Sequence, residues 1–234
     1  MCGLHACLAV ATRRPDAVRR VYLTKPRLSE FSDLLKVCAK NHVAYHVVEP
    51  EELDRVTRSR HHEGVALWVE ERPPPSLRSV LAQPGPAAIL YLGGVQNPHN
   101  LGAIIRVCAH FGVQSILACG EELSISPALA RTAEGGCEVV DIVPVSRGPH
   151  PLRQAREAGW SLLATSSHRG ANLYAQPLPT RSVLLFGSEA DGLPAPAQEF
   201  ADHSLQIPGT GLVESLNVAC ATAVVLAEFW RTHT

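Results

Sequence analysis

The residues of this chain that could do chemistry fall in three clusters. The last is the most specific: Ile207-Pro208-Gly209-Thr210-Gly211-Leu212-Val213-Glu214-Ser215-Leu216-Asn217-Val218. A strand-like run stops at a proline, a glycine loop follows, and Ser215 and Asn217 stand where an apolar helix begins. Such a loop offers backbone N–H and C=O groups at the mouth of a sheet, where α/β proteins bind small ligands. The plainer reading is an amphipathic helix capped by Ser215. It leaves Asn217, a mediocre helix former, unexplained in the first turn. The first cluster runs Gly94-Val95-Gln96-Asn97-Pro98-His99-Asn100-Leu101-Gly102-Ala103-Ile104-Ile105-Arg106. Asn100 can cap a helix, and Arg106 follows nearly two turns on, close to the same face. A helix N-terminus with an arginine suits a phosphate; a cap plus a solvated arginine is the alternative. The second cluster is Leu185-Phe186-Gly187-Ser188-Glu189-Ala190-Asp191-Gly192-Leu193-Pro194. Gly187 would let a ligand approach the backbone closely, and Glu189 could hold an arginine or a hydroxyl. An ordinary acidic surface turn fits the same residues.

These clusters need a scaffold, and the hydrophobic pattern supplies one. Ala88–Leu92 reads as a buried strand and Leu101–Phe111 as a helix. Strands follow at Ser115–Ala118, Val139–Val143, Trp160–Thr165, Val183–Phe186 and Ser204–Ile207. Helices are expected at Ala128–Glu134, Pro151–Ala158 and Leu216–Trp230. The alternation predicts an α/β fold with a mostly parallel sheet and helices on both faces. Ahead of it, Val21–Leu23, Val43–Val48 and Val65–Val69 read as strands, and Ser29–Asn41 and Pro50–Thr57 as helices. Between the two lies Pro73-Pro74-Pro75 and then Pro84-Gly85-Pro86, an extended spacer in expectation. The expected division is a small α/β domain at 1–72, a Pro-rich linker at 73–86 and a larger domain at 87–234.

Composition narrows the class. The chain has 234 residues, 46% of them hydrophobic, and a net charge of −1. That balance does not by itself advertise nucleic acid. Residues 1–75 carry twelve Lys and Arg against ten Asp and Glu; the remainder carries nine against twelve. No apolar run reaches the roughly 18 residues of a membrane span, and the N-terminus lacks a signal-peptide pattern, so the expectation is a cytoplasmic protein without membrane partners. The seven cysteines are odd in number and none forms a C-x-x-C pair, which argues against structural zinc and a disulfide framework. His61-His62-Glu63 lacks helical ligand spacing. Walker A, G-x-S-x-G and H-E-x-x-H patterns are missing, as is a G-x-G-x-x-G after a strand.

In order, the clusters resemble the three signature motifs of the SpoU (TrmH) family of RNA ribose 2′-O-methyltransferases, in the SPOUT superfamily. Asn100-Leu101-Gly102-Ala103-x-x-Arg106 is similar to motif 1. Gly187-x-Glu189-x-x-Gly192-Leu193 is similar to motif 2. Ile207-Pro208-x-x-Gly211-x-x-x-Ser215-Leu216-Asn217-Val218 is similar to motif 3. The resemblance covers about residues 88–230. Residues 1–70 look like the L30e-like substrate-binding domain often fused ahead of it, through Gly3-Leu4-His5-Ala6 and His62-Glu63-Gly64-Val65. The family more often has glutamine where this chain has Glu63, and a carboxylate there would weaken contact with RNA phosphate.

The resemblance implies a deep trefoil knot in the C-terminal part, an exception to the rule against knots. It implies S-adenosylmethionine as cofactor, held largely through backbone at Gly187, Ile207 and Leu216, with Thr165 at a neighbouring strand end. It implies a homodimer, an RNA partner (rRNA favoured over tRNA) rather than DNA, and no metal. Catalytic positions would be Arg106, Asn100, Glu189, Ser215 and Asn217. Arginine stays protonated, so Arg106 fits better as a cation steadying an alkoxide and gripping phosphate than as a base. Glu189 would orient Arg106; Asn100, Ser215 and Asn217 would hydrogen-bond around the ribose and the loop. Two other readings are a non-catalytic RNA-binding protein that kept the fold and a SPOUT enzyme methylating a base nitrogen.

Overall fold

Strands that are apolar at every position must be covered on both sides, and that requirement organises the larger part of this protein. The computed structural model describes residues 1–119, 125–188 and 191–233. In chain order the elements are α1 (Leu4–Arg13), β1 (Val18–Leu23), α2 (Ser32–Lys40), β2 (Tyr45–Val47), α3 (Pro50–Thr57), β3 (Val65–Val69), α4 (Leu77–Leu81), β4 (Ala87–Gly93), α5 (Pro98–His110), β5 (Ser115–Cys119), α6 (Pro127–Thr132), β6 (Asp141–Val145), α7 (His150–Glu157), β7 (Ser161–Thr165), β8 (Ala171–Asn172), β9 (Arg181–Gly187), α8 (Ala195–Phe200), β10 (His203–Gln206) and α9 (Val218–His233). They form two compact units, Met1–Pro73 with Ile125–Val139, and Pro74–Ser124 with Val140–Thr234.

The second unit holds a seven-stranded sheet in the order β6-β5-β4-β9-β7-β10-β8, every pairing parallel. Ile89, Tyr91, Val183 and Leu185 point to one face, where they pack with Leu152 and Ala155 of α7 and Ala197 of α8. The alternate residues Leu90, Leu92, Leu184 and Phe186 are just as buried. On their side α9 packs against β9 and against α5. The Pro-rich stretch is not all spacer. Within it Ser76 caps α4, and Val80 and Leu81 are buried in the same core as β4. The end of α4 is tied down by the residue before β7 and the first residue of β9: Trp160 Nε1 donates to the Leu81 carbonyl at 3.0 Å, and Arg181 donates to it as well. Arg181 also lies 4.4 Å over the Trp160 ring.

The first unit is a three-stranded sheet, β2-β1-β3, with β1 parallel to β2 and antiparallel to β3. One face carries Val18, Val21, Leu23, Val65 and Leu67, packed with Cys7 and Val10 of α1 and Phe31, Leu34 and Cys38. Helix α1 is invisible to the sequence reading because Gly3 provides no side-chain cap. The cap comes from 59 residues away: the Leu4 N–H donates to Glu63 Oε2 at 2.7 Å. Glu63 is therefore engaged with a helix N-terminus, where a carboxylate is favoured. Its neighbour His62 is buried and bridges the Gly64 N–H and Asp54.

Residues Ile125–Val139 belong to this first unit, although strands of the other sheet flank them in sequence. The reason is packing against α1. A Cβ on Gly135, which has φ +86°, would lie 2.8 Å from the Ala9 Cβ. Arg14 grips Glu138 in a two-pronged pair, with contacts of 2.6 and 3.1 Å, and the Glu138 side chain is 3% exposed. The turn at Gly136–Glu138 also delays the next strand, which spans Asp141–Val145 instead of the expected Val139–Val143. Removing the arginine would strand a buried carboxylate. Arg14→Ala is expected to cost about 3 kcal/mol, read as a lower urea midpoint, with Glu138→Gln milder.

Candidate functional site

The three clusters meet at the C-terminal ends of adjacent parallel strands, which is where open α/β sheets bind ligands. Gly187 ends β9 and pairs across to Gly93, the last residue of β4. On the other side Ala164 of β7 pairs with Leu185, and Thr165 pairs with Leu205 of β10. By these registers Gly187 lies one residue and Ile207 two residues beyond the level of Thr165 along the rim. Thr165 is anchored there: its Oγ1 donates to the Leu185 carbonyl at 2.9 Å. The following loops are fastened to each other. Gln206 donates to the Ser167 carbonyl and Ser204 to the Arg169 carbonyl, while His168 lies 3.3 Å from Glu214.

Gly187 is required for a steric reason. A Cβ there would lie 2.0 Å from the Gly192 carbonyl carbon and 2.1 Å from the Leu193 nitrogen. The chain makes a tight return at that point, with Ser188 and Gly192 exchanging backbone hydrogen bonds of 3.1 and 3.0 Å. Gly192 has φ +68°, a left-handed conformation that glycine adopts without penalty. Glu189, assigned by resemblance to orient Arg106, lies outside the described residues.

The amide of Asn217 joins the first and third clusters. Its Oδ1 accepts from the Ala219 N–H at 2.9 Å and the Cys220 N–H at 3.4 Å, capping α9. With the oxygen so engaged, its NH₂ faces the other way and donates to Asn100 Oδ1 at 3.1 Å. That in turn leaves the NH₂ of Asn100 as its remaining side-chain donor. Two cap assignments change as a result. Helix α9 starts at Val218, so Asn217 rather than Ser215 is its cap, and Asn217 lies outside the first turn that seemed to disfavour it. Helix α5 starts at Pro98, capped by Asn97, whose Oδ1 accepts from the His99 N–H at 2.9 Å. Asn100 is consequently inside the helix. Arg106, six residues later, is about 120° around the axis from it rather than on the same face, and it is exposed while Asn100 is half-buried.

Ser215 and Leu216 are exposed in the segment before α9. Leu212 is 88% exposed, Val213 72% and Leu216 46%, an uncommon run of apolar surface above the strand ends. A cavity of about 310 Å³ lies near the ends of β4 and β5, lined by Tyr91, Gly94, Gln96, Cys119, Arg147 and Pro194 among others. Gly94 and Gln96 of the first cluster and Pro194 of the second line it, but none of the residues assigned a catalytic or cofactor role from the sequence does. Burial pushes the Cys7 and Cys137 thiols up to about 12, and Cys108 upward as well, so none of the three is a thiolate nucleophile. Among the described residues no cluster of three His, Cys, Asp or Glu could hold a metal, and no helix is long and apolar enough to cross a membrane.

Residues 87–227 match the SpoU rRNA Methylase family. The chain belongs to that family. Residues 1–75 match the domain described as RNA 2′-O ribose methyltransferase substrate binding. The chain is 37% identical over 232 residues to an uncharacterized tRNA/rRNA methyltransferase, YfiF, of Escherichia coli O157:H7, covering 99% of this chain and 67% of that one. An uncharacterized tRNA/rRNA methyltransferase of Haemophilus influenzae is 32% identical, covering 97% of this chain and 65% of the relative. The chain therefore spans about two thirds of the length of these two relatives. The 23S rRNA (guanosine-2′-O-)-methyltransferase RlmB of Bordetella pertussis is 29% identical, covering 99% of this chain and 96% of its own. Among solved structures, an AdoMet-bound rRNA methyltransferase from Sinorhizobium meliloti superposes with a TM-score of 0.83 at 26% identity, covering 99% of this chain and 86% of that one.

The Asn217 network has a measurable weight in this SpoU family chain. Asn217→Ala is expected to cost about 1–2 kcal/mol through the lost cap. Combined with Asn100→Ala it should cost less than the two separate losses together, because the partners share one hydrogen bond. Urea unfolding of the four proteins of the cycle measures the coupling.

Proposed function

We propose that this protein transfers a methyl group from S-adenosylmethionine to a ribose 2′-hydroxyl of RNA, rRNA in preference to tRNA. The Asn100–Asn217 hydrogen bond carries the reading, because it brings the first and third motifs of the SpoU family together at one sheet rim. The donor residues fit the cofactor. The rim at Thr165, Gly187 and Ile207 offers backbone groups with no room for a side chain at Gly187, and Leu212, Val213 and Leu216 offer exposed apolar surface for an adenosine. When bound, S-adenosylmethionine supplies a methyl group on a sulfonium sulfur, an electrophile for an oxygen nucleophile.

The chain's own residues prepare that oxygen. Arg106 is permanently cationic, so it would hold the adjoining phosphate and stabilise the negative charge that grows as the hydroxyl proton passes to solvent water. Glu189 orients Arg106. The Asn100 NH₂ left over by the Asn217 network donates toward the ribose, and Ser215 hydrogen-bonds nearby. A 2′-oxygen nucleophile also selects RNA over DNA.

The same reading includes a homodimer and a knotted C-terminal threading. Strand β7 is flanked on both sides by strands later in the chain, β9 and β10, an order consistent with a knot. Trp230, 51% exposed on α9, supports a covering partner copy. The two-domain division, with residues 1–72 serving as the RNA substrate-binding part, also belongs to this reading.

Incubation with methyl-labelled cofactor and total rRNA, followed by alkaline digestion, is expected to leave labelled alkali-resistant dinucleotides. Arg106→Ala should lower turnover about 100-fold. Label confined to mononucleotides would mean base methylation. RNA binding without any label would mean a non-catalytic binder.

A further inference from the structure

We propose that the solvent-facing side of the three-stranded sheet in the first unit is a stacking platform for unpaired bases of the RNA substrate, an inference that rests on the RNA reading above. The side opposite the α1 and α2 core carries an unusual set of residues. Arg20 of β1 is in register with Trp68 of β3, and the next outward residue, Tyr22, is in register with His46 of β2. The Arg20 guanidinium carbon lies 5.7 Å from the Trp68 ring centroid. Arg20 NH1 donates to the Tyr22 hydroxyl at 3.3 Å. The Tyr22 and His46 rings stack at 5.1 Å with 19° between their planes. Trp68 is 63% exposed.

The core does not account for this arrangement. Helix α3 covers only part of this side, where Leu53 packs with Ala66 and touches Tyr22. Trp68, Arg20 and His46 lie outside that cluster. A large ring in water gains nothing from exposure, yet here it is paired with a cation and aligned with a second stacked pair one row away. Flat π-faces presented across neighbouring strands and interleaved with cationic groups are what splayed single-stranded bases stack on. The match of residues 1–75 to an RNA substrate-binding domain favours nucleic acid over an acidic protein surface or a second copy of this chain, and charge agrees. Arg20 is committed to rings rather than to a carboxylate among the described residues, and residues 1–75 carry a net excess of two positive charges.

Full-length wild type, Trp68→Phe and Trp68→Ala are titrated with a fluorescein-labelled single-stranded octaribonucleotide by anisotropy, and with the unlabelled octamer by tryptophan emission. Trp68 is exposed, so both variants fold. The platform predicts saturable quenching in wild type that is mostly lost in Trp68→Phe, whose affinity stays within about three-fold because phenylalanine still stacks. Trp68→Ala should bind about ten-fold or more weakly, the loss of one stacked base. On rRNA its KM should rise with kcat unchanged. Equal affinities for all three, or quenching that survives in Trp68→Phe, would overturn the proposal. So would a change of oligomeric mass in Trp68→Ala by sedimentation, which would make the face a contact between copies. The methyltransferase reading fails separately: with no methyl transfer but a Trp68-dependent RNA signal, the platform stands and the chemistry falls. Methyl transfer with unaltered Kd and KM in Trp68→Ala sinks the platform and leaves the chemistry standing.

Discussion

One side-chain amide fixes the geometry of the rim. Asn217 has one oxygen and one NH₂, and both are committed: the oxygen to the first turn of α9, the NH₂ to Asn100, 117 residues earlier. A serine at that position could cap α9 but has no second, rigidly opposed group to reach α5. The packing of α5 on α9 therefore acquires a register as well as an area. It is the polar counterpart of the apolar contacts between them, and it commits the Asn100 oxygen as an acceptor.

The strand ends follow a complementary logic. Side chains are nearly excluded at Gly187, where the return through Gly192 brings backbone within 2.0 Å of a would-be Cβ. The rim there is built from main-chain groups whose positions are set by the parallel ladder, and these need no side-chain ordering when a ligand arrives. The few side chains present are held by neighbours, as Thr165 is by the Leu185 carbonyl. The site thus divides into a rigid backbone shelf on β7, β9 and β10, and a polar pair on α5 and α9.

How much of this was readable from the chain depends on whether the cause is local. The parallel sheet was legible because β4 and β9 are apolar at successive positions, which only a strand covered on both faces tolerates. The motif resemblance singled out the Asn100 and Asn217 positions, which the structure joins by a hydrogen bond, but the cap positions were not legible. A cap is set by where the first turn closes, and Pro98 and Val218 move both helix starts away from the residues that the local pattern favours. Helix α1 was hidden because its cap, Glu63, comes from a distant turn. The helix inside the Pro-rich stretch was hidden because its support, Trp160 and Arg181, arrives from around strands 80 to 100 residues on. The same applies to residues 125–139, whose place in the first unit rests on Arg14 and Gly135. In each case the deciding partner is remote in sequence, and no window of neighbouring residues contains it.

Net charge adds a constraint that bears on both units. Binding to a polyanion is usually driven by releasing counterions from phosphates that lysine and arginine neutralise. A chain with a net charge of −1 has little of that to offer, and its larger unit carries most of the excess carboxylate. Grip on RNA must then come from contacts that do not scale with net charge: hydrogen bonds from backbone and amides at the rim, a few well-placed arginines, and stacking. The first unit has the paired Arg20 and Trp68, and the second has the amide pair and the backbone shelf. In the two proposals above, the first unit's sheet face would hold bases and the second unit's rim would handle the ribose, roles that do not depend on net charge.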